Sequence, residues 1–260
     1  AVTEQVMRDH PHENLIPFYD LKDMTDALAR PRKVMLMIQA GKPVDAVIEQ
    51  LVPLLEKGDM ILDGGNSFFE DTRRRAALLA EKGIHYLGVG ISGGEEGARF
   101  GPSVMPGGNA DAYESVRPIL EAIAARAMDE PCCAYIGPDG AGHYVKMVHN
   151  GIEYGMMEAI GEGFAIMRES PFDYDLPEVA KNWNHGSVIR SWLMELAEQQ
   201  LRAHPDLADF KGVVAASGEA KWTVQAALDE EVPCPVIAQA LFERNASQFG
   251  DENFSNKMVS

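Results

Sequence analysis

Cysteine is scarce in this chain: three in 260 residues, with Cys132 and Cys133 adjacent and Cys234 far from both. That spacing excludes a disulfide framework and the paired-cysteine zinc sites, and it suits a reducing, cytoplasmic setting. Positive charge is short as well. With 23 Lys and Arg against 40 Asp and Glu, the formal net charge is −17. Such a field repels phosphodiester backbones and anionic bilayer surfaces, which argues against nucleic acid and membrane as partners. An anionic small molecule would need a local basic group to hold it. No apolar run approaches the roughly 20 residues that span a bilayer, and the first residues lack a basic start followed by an apolar stretch. Internal repeats and low-complexity tracts are missing too. What remains is an ordinary hydrophobic content of 46%, enough for one large or two modest domains.

Between residues 30 and 137, short apolar runs alternate with helical patterns. The runs lie at Val34 to Ile38, Met60 to Leu62, Ile84 to Val89, Ser103 to Met105 and Ala134 to Ile136, and the helices at 43–57, 70–82 and 110–126. This rhythm predicts an α/β, Rossmann-type parallel sheet whose strands read as continuous apolar runs because helices cover both faces. After Gly142 the period turns helical, with a long segment to about Arg168 and further stretches near 176–203 and 219–248. Pro171, Pro177, Pro205, Pro233 and Pro235 punctuate an all-α half. The expected division is an α/β domain over 1–141 and an all-helical domain over 142–260. Both ends are expected to be cut: a polar opening leads straight into Asp23-Met-Thr-Asp-Ala-Leu and Val34-Met-Leu-Met-Ile, so the sheet would begin in its middle, and the chain closes on Phe254-Ser-Asn-Lys-Met-Val-Ser without a stop.

The most informative stretch is Gly140 to Gly155. At about 100° per residue, Lys146, His149, Asn150 and Glu153 fall on one stripe of a helix, while Val145, Val148, Ile152, Met156 and Ala159 take the other side. One amine, one imidazole, one amide and one carboxylate set in an apolar segment are costly to bury without partners. A ligand that supplies those partners is the economical explanation, and such convergent titratable groups mark acid and base roles. A metal held by His149 and Glu153 at i, i+4 competes with it, but the Lys146 ammonium on the same stripe repels a cation, so no metal is expected. A buried polar network that merely fixes helix packing is the stronger structural alternative.

Two glycine loops follow strands. Gly88-Val-Gly-Ile-Ser-Gly93 satisfies G-x-G-x-x-G, yet that fingerprint needs a helix to start inside it, and Gly94, Gly97, Gly101, Pro102 and Pro106 predict none. A flexible turn is the plain reading. Ser92, Gly93 and Gly94 nonetheless stand at a strand end, where amides and a hydroxyl suit an anionic group. Asp63-Gly-Gly-Asn-Ser67 also leaves a strand and enters a helix, an ordinary turn whose position points Asn66 toward the crevice where open sheets bind ligands.

These motifs, taken together and in order, resemble the 6-phosphogluconate dehydrogenase family: Asp63-Gly-Gly-Asn-Ser67, Gly90-Ile-Ser-Gly-Gly-Glu-Glu-Gly-Ala-Arg99, Met105-Pro-Gly-Gly108, Glu130-Pro-Cys-Cys133 and Gly140 to Gly155. The similarity is read from about Arg30 to the end. The resemblance implies a Rossmann domain for NADP or NAD, then a helical domain that completes the sugar-acid site and builds a homodimer or higher homo-oligomer. It implies that Asn66, Ser92, Gly93, Gly94, His149, Asn150 and Tyr154 contact 6-phosphogluconate, and that Arg244 holds its phosphate. Ile38, Gln39 and Ala40 match positions that line the coenzyme, with Asn66 near the nicotinamide. Three departures stand against the pattern. Ser217 and Glu219 in Ser217-Gly-Glu-Ala-Lys-Trp-Thr223 replace a Lys and a Thr of the family's longer form; the first strand with its glycine loop is not seen; and the tail that reaches a partner subunit is not seen after Ser260.

The implied reaction is oxidative decarboxylation to ribulose 5-phosphate and CO2. Lys146, with its pKa lowered by desolvation, would take the C3 hydroxyl proton, and Glu153 would protonate the carbon that becomes C1 of ribulose 5-phosphate after CO2 leaves. His149 and Asn150 would orient the substrate. Two rivals stay open: a related 3-hydroxy acid dehydrogenase acting on a small unphosphorylated acid, and an inactive, truncated dimerising fragment. With no glycine loop to receive the pyrophosphate, residues 1–260 alone are expected to lack activity.

Overall fold

The computed structural model describes residues 2–250 and 254–260. The chain divides into two compact units, the first running to Lys146 and the second starting at Met147. Among the described residues, no helix is long and apolar enough to cross a membrane.

In the first unit, helices α1 (Val2–Asp9) and α2 (Leu21–Ala27) precede β1 (Lys33–Leu36). Then come α3 (Lys42–Leu51) with a 3-10 turn at Val52–Leu54, β2 (Met60–Asp63), α4 (Phe69–Ala80) and β3 (His85–Ser92). After these follow α5 (Gly94–Phe100), β4 (Ser103–Gly108), α6 (Ala110–Ile123) and a small hairpin of β5 (Arg126–Ala127) and β6 (Glu130–Pro131). The main sheet has the order β1-β2-β3-β4. β1 and β2 run parallel, as do β2 and β3, with Leu62 opposite both Met35 and Leu87. Successive side chains point to opposite faces, so Met60 and Leu62 pack with Leu87, Val89, Val104 and the α6 residues Tyr113, Val116 and Leu120. Ile61 instead joins Val34, Leu36 and Tyr86 against Val44 and Leu51 of α3 and Leu79 of α4. Both faces are covered, which is why the strands read as unbroken apolar runs.

Three details differ from the sequence reading. A helix does form after the second glycine loop: α5, capped by Gly93 at φ +143° and closed by Gly101 at φ +114°. Gly93, Gly94 and Gly101 sit at the two ends, where positive φ is wanted, Gly97 lies mid-helix, and the helix is only seven residues long. The rejected dinucleotide fingerprint still fails on topology, because the strand beyond α5 returns antiparallel: Gly90 pairs with Met105 and Ser92 with Ser103. The run at Ala134 to Ile136 forms no regular strand, although it lies parallel to β4 through bonds from Ala134 N to Val104 O (3.3 Å) and Ile136 N to Pro106 O (2.8 Å).

Helix α7 (Ala141–Arg168) carries the chain across the division. The second unit continues with α8 (Leu176–Gly186), α9 (Trp192–Ala203), α10 (Glu219–Asp229), α11 (Pro235–Ser247) and α12 (Phe254–Val259). Phe164, Leu176, Ala180, Met194, Leu201 and Leu207 form its main core, and Tyr154, Ala220, Ala240 and Leu241 a second cluster. Each of the two later helical stretches is broken once. Ser191 caps α9 by accepting from Met194 N (3.1 Å), and Pro235 starts α11, where its missing N–H costs nothing.

Candidate active site

Helix α7 begins on a seat of glycines. Gly142 lies against Gly107 and the carbonyls of Gly88 and Met105 so closely that neither Gly142 nor Gly107 has room for a methyl group. A Cβ at Gly88 would meet the His143 ring at 2.8 Å, and one at Gly90 would meet Lys146 Cβ at 2.7 Å. Gly88 and Gly90 therefore serve close approach of helix to strand. They bring the stem of Lys146 onto β3 and leave it 6% exposed.

The two faces of α7 are inverted relative to an ordinary surface helix. Lys146 and Asn150 are buried, whereas the apolar positions Val145, Ile152, Met156 and Ala159 are exposed and Val148 is half-buried. Periodicity defines the stripes correctly but does not say which one the fold covers.

Three strand-end turns of the first unit carry the other residues expected there. Ile38, Gln39 and Ala40 follow β1, with Ile38 and Gln39 exposed. Asn66 is exposed after β2, and half-buried Ser92 ends β3, followed by Gly93 and Gly94. The first two turns touch: a Cβ on Gly65 would lie 2.9 Å from the Ile38 carbonyl oxygen. Beneath them is a polar network. Asp63, fully buried, accepts from Gly65 N (3.1 Å), Ser67 Oγ (2.6 Å) and Tyr86 OH (2.7 Å). Burial, and then the Asp63 carboxylate, pushes the Tyr86 phenol up, so it stays a neutral donor. Buried Arg75 of α4 reaches Asp45 with Nε (2.9 Å) and Nη2 (3.2 Å), and the hydrogen bond from Arg75 above all holds the Asp45 carboxyl below its usual range. His143 is buried with its Nδ1 2.6 Å from Thr72 Oγ1, and burial lowers its pKa.

In the second unit, His149 Nδ1 lies 2.9 Å from Asn150 Oδ1 and 3.8 Å from Glu153 Oε2. Tyr154 and Arg244 are brought together, the guanidinium stacking 3.5 Å from the ring centroid, a cation–π contact shielded from water. Arg244 also donates to Ala215 O (3.3 Å). The Thr223 hydroxyl reaches the carbonyls of Met147 (2.8 Å) and Glu219 (2.9 Å) and packs where a Cβ on Gly151 would sit, which locks α10 onto α7. The departing pair has a local use: Ser217 Oγ donates to buried Glu219 at 2.5 Å, in the first turn of α10, where a carboxylate suits the helix dipole.

Sequence reasoning overlooked Asp45, Arg75, Tyr86 and His143. Arg75 sits in Arg73-Arg74-Arg75, which reads as a solvated helix face. His143 had a signal, since it precedes Lys146 by three residues and shares its stripe.

The parallel β1–β3 core with its strand-end turns, followed by a helical unit, defines a dinucleotide-binding α/β fold joined to an all-α domain. A family model described as the NAD binding domain of 6-phosphogluconate dehydrogenase matches residues 1–137, and one described as the 6-phosphogluconate dehydrogenase C-terminal domain matches residues 142–259. The chain belongs to the 6-phosphogluconate dehydrogenase family. It is 46% identical to the NAD(+)-dependent, decarboxylating 6-phosphogluconate dehydrogenase of Bacillus subtilis over 99% of this chain and 57% of that protein. It is 45% identical to the NADP(+)-dependent enzyme of the same organism over 96% of this chain and 55% of that protein. The chain thus spans little more than half the length of these relatives. A solved 6-phosphogluconate dehydrogenase of Plasmodium falciparum, described in its apo form and in complex with NADP+ and with 6-phosphogluconate, has a TM-score of 0.87 at 42% identity, covering 95% of this chain and 55% of that one. A 3-hydroxyisobutyrate dehydrogenase of Salmonella typhimurium shares the fold at 18% identity, with a TM-score of 0.70 over 87% of this chain and 78% of that one. The similarity extends upstream of Arg30, where the sequence reading began it.

Proposed function

We propose that this chain serves the oxidative decarboxylation of 6-phosphogluconate to ribulose 5-phosphate and CO2, linked to NADP or NAD. The observation that carries the proposal is Lys146, buried on the glycine seat of β3 and followed along α7 by His149, Asn150 and Glu153. The adjoining turns of Ile38 and Asn66 fit a nicotinamide, since both are exposed at strand ends and the glycine at 65 lets them meet. When bound, the nicotinamide accepts the hydride released from C3 of the sugar acid.

Lys146 accepts the C3 hydroxyl proton as that hydride leaves, a step that requires the neutral amine. The 3-keto acid then loses C1 as CO2 because the C3 carbonyl takes up the electron pair of the breaking C1–C2 bond. Protonated Lys146 hydrogen-bonds the developing enolate oxygen. Glu153, two turns along the same stripe, delivers the proton that completes ribulose 5-phosphate. His149 and Asn150, joined to each other, orient the hydroxyls, and Ser92, Gly93 and Gly94 are the substrate contacts that the resemblance implies in the first unit. Arg244, stiffened by Tyr154, supplies the local positive charge that a −17 chain must offer a phosphate. The exposed apolar line of α7 is a face that a second copy would cover, in keeping with a homo-oligomer, and a cytoplasmic setting fits the cysteine usage.

Lys146→Met tests the reading in the full-length gene product. Turnover should be abolished while 6-phosphogluconate binding stays within about tenfold, because the amine acts mainly in the transition state. Retention of a tenth of kcat would remove Lys146 from the base role.

A further inference from the structure

Arg75 stands where two turns could be governed at once. Its guanidinium is 1% exposed on α4, yet its partners come from elements far apart in sequence. Nε and Nη2 fork onto the two oxygens of Asp45 on α3, and Nη2 also donates to the carbonyl of Gly41 at 3.0 Å. Nη1 turns the other way, toward Ser67 Oγ (3.4 Å) and Asp63 Oδ2 (3.5 Å). Asp63 in turn fixes Gly65 N and Ser67 Oγ. One planar cation thus ties the end of the turn after β1 to the base of the turn after β2. A lysine could not make that fork, since its ammonium is a point charge without fixed donor directions.

We infer that Arg75 is a positioning residue: it holds the Ile38–Ala40 turn and the Asn66 turn at a fixed separation, so that both meet the nicotinamide end of one coenzyme molecule. The inference rests on the coenzyme reading given above. Its structural basis does not, because the guanidinium, its carboxylates and both turns lie within the first unit. The ordinary alternative is a buried ion pair that stabilises the sheet as a whole. That alternative predicts uniform loosening; a clamp predicts loosening confined to two turns.

The test uses Arg75→Lys and, because a buried arginine change can prevent folding, the milder Asp45→Asn. Asp45 is only partly buried; its carboxylate meets Arg75 and half-exposed Arg74, and its backbone N–H meets the Gly41 carbonyl at 3.5 Å, a contact that asparagine keeps. In the full-length gene product, equilibrium binding of NADP and NAD is measured by calorimetry, KM for 6-phosphogluconate by steady-state kinetics, and amide hydrogen exchange without ligand. Coenzyme Kd should rise about tenfold in Arg75→Lys and about threefold in Asp45→Asn, the scale of a charged hydrogen bond. KM for 6-phosphogluconate should rise less than the coenzyme Kd, since of the two turns only the one carrying Asn66 also meets the sugar acid. Exchange should quicken at the amides of 38–41 and 64–67 and stay unchanged at β2 and β3. Faster exchange across the whole sheet, or coenzyme affinity within about twofold of the parent in a folded variant, would overturn the inference. Should the parent bind neither coenzyme, the functional reading fails, and the exchange pattern still decides whether Arg75 fixes the two turns.

Discussion

Replacing Gly90 by alanine is the sharpest test of how the lysine is held. An ideal Cβ at this position lies 2.7 Å from Lys146 Cβ and 2.8 Å from the Gly142 carbonyl oxygen. Carbon atoms in contact rest about 3.5–4.0 Å apart, so helix and strand must separate by about 1 Å. Neither neighbour is the loose end of a side chain: one is the root of Lys146, the other is backbone. Overpacking of this kind costs about 1–3 kcal/mol. In a protein of this size each kcal/mol lowers Tm by about 2–4 °C, so a fall of about 2–12 °C is expected. The same displacement moves the amine relative to the bound substrate, and a misplacement of about 1 Å is worth up to about 10²-fold in rate. Thermal unfolding and kcat are therefore measured together in the full-length gene product. Gly163→Ala is the control on the same helix, where a Cβ would meet nothing within 4 Å. It should be stabilising by about 0.5–1 kcal/mol, the usual gain from removing a helical glycine. If Gly90→Ala kept its Tm within about 1 °C and kcat within about twofold, the glycine seat would not be what sets Lys146, and the helix–strand approach would have slack that the distances deny.

Arg244→Ala should raise KM for 6-phosphogluconate far more than for gluconate, by about 1.5–3 kcal/mol, since only the former offers a phosphate to the guanidinium. Equal effects on both substrates would assign Arg244 to packing on Tyr154 and to the Ala215 carbonyl. His143 gives a pH signature. Burial, opposed by Asp63, depresses its folded pKa below the ordinary 6.5, so between those two values the unfolded chain binds a proton that the folded chain refuses. Its contribution is complete above the unfolded pKa and is lost as pH falls below it, with a slope of up to about 1.4 kcal/mol per pH unit. Urea unfolding of the parent at about pH 7.5 and about pH 5.5, compared with His143→Asn, should show a smaller pH dependence in the variant. An identical dependence in both would place the titration elsewhere.

Sequence patterns reach as far as local rules reach. The strands at Val34, Met60 and Ile84 and the α6 and α7 helices were legible because apolar runs and helical period are themselves the consequence of two covered faces. The direction of β4 was not, since an apolar run reads the same in either sense, and only the pairing of Gly90 with Met105 and Ser92 with Ser103 makes it antiparallel. Helix α5 was missed because propensity counts glycines without asking where they fall. The site divides in the same way. Lys146, His149, Asn150 and Glu153 announce themselves by mixed chemistry on one stripe, whereas Arg73, Arg74 and Arg75 are three identical letters with three fates. Arg73 meets Asp139 at the surface, Arg74 meets Asp45 and Asp71 while about half exposed, and Arg75 alone is enclosed. Nothing within a helical turn separates them. What does is a pair of carboxylates, Asp45 and Asp63, that lie 30 and 12 residues away in the chain and reach Arg75 only once the sheet is formed. A buried charge is expensive unless such partners arrive, so the identity of the buried arginine belongs to the folded topology and not to the arginine run itself.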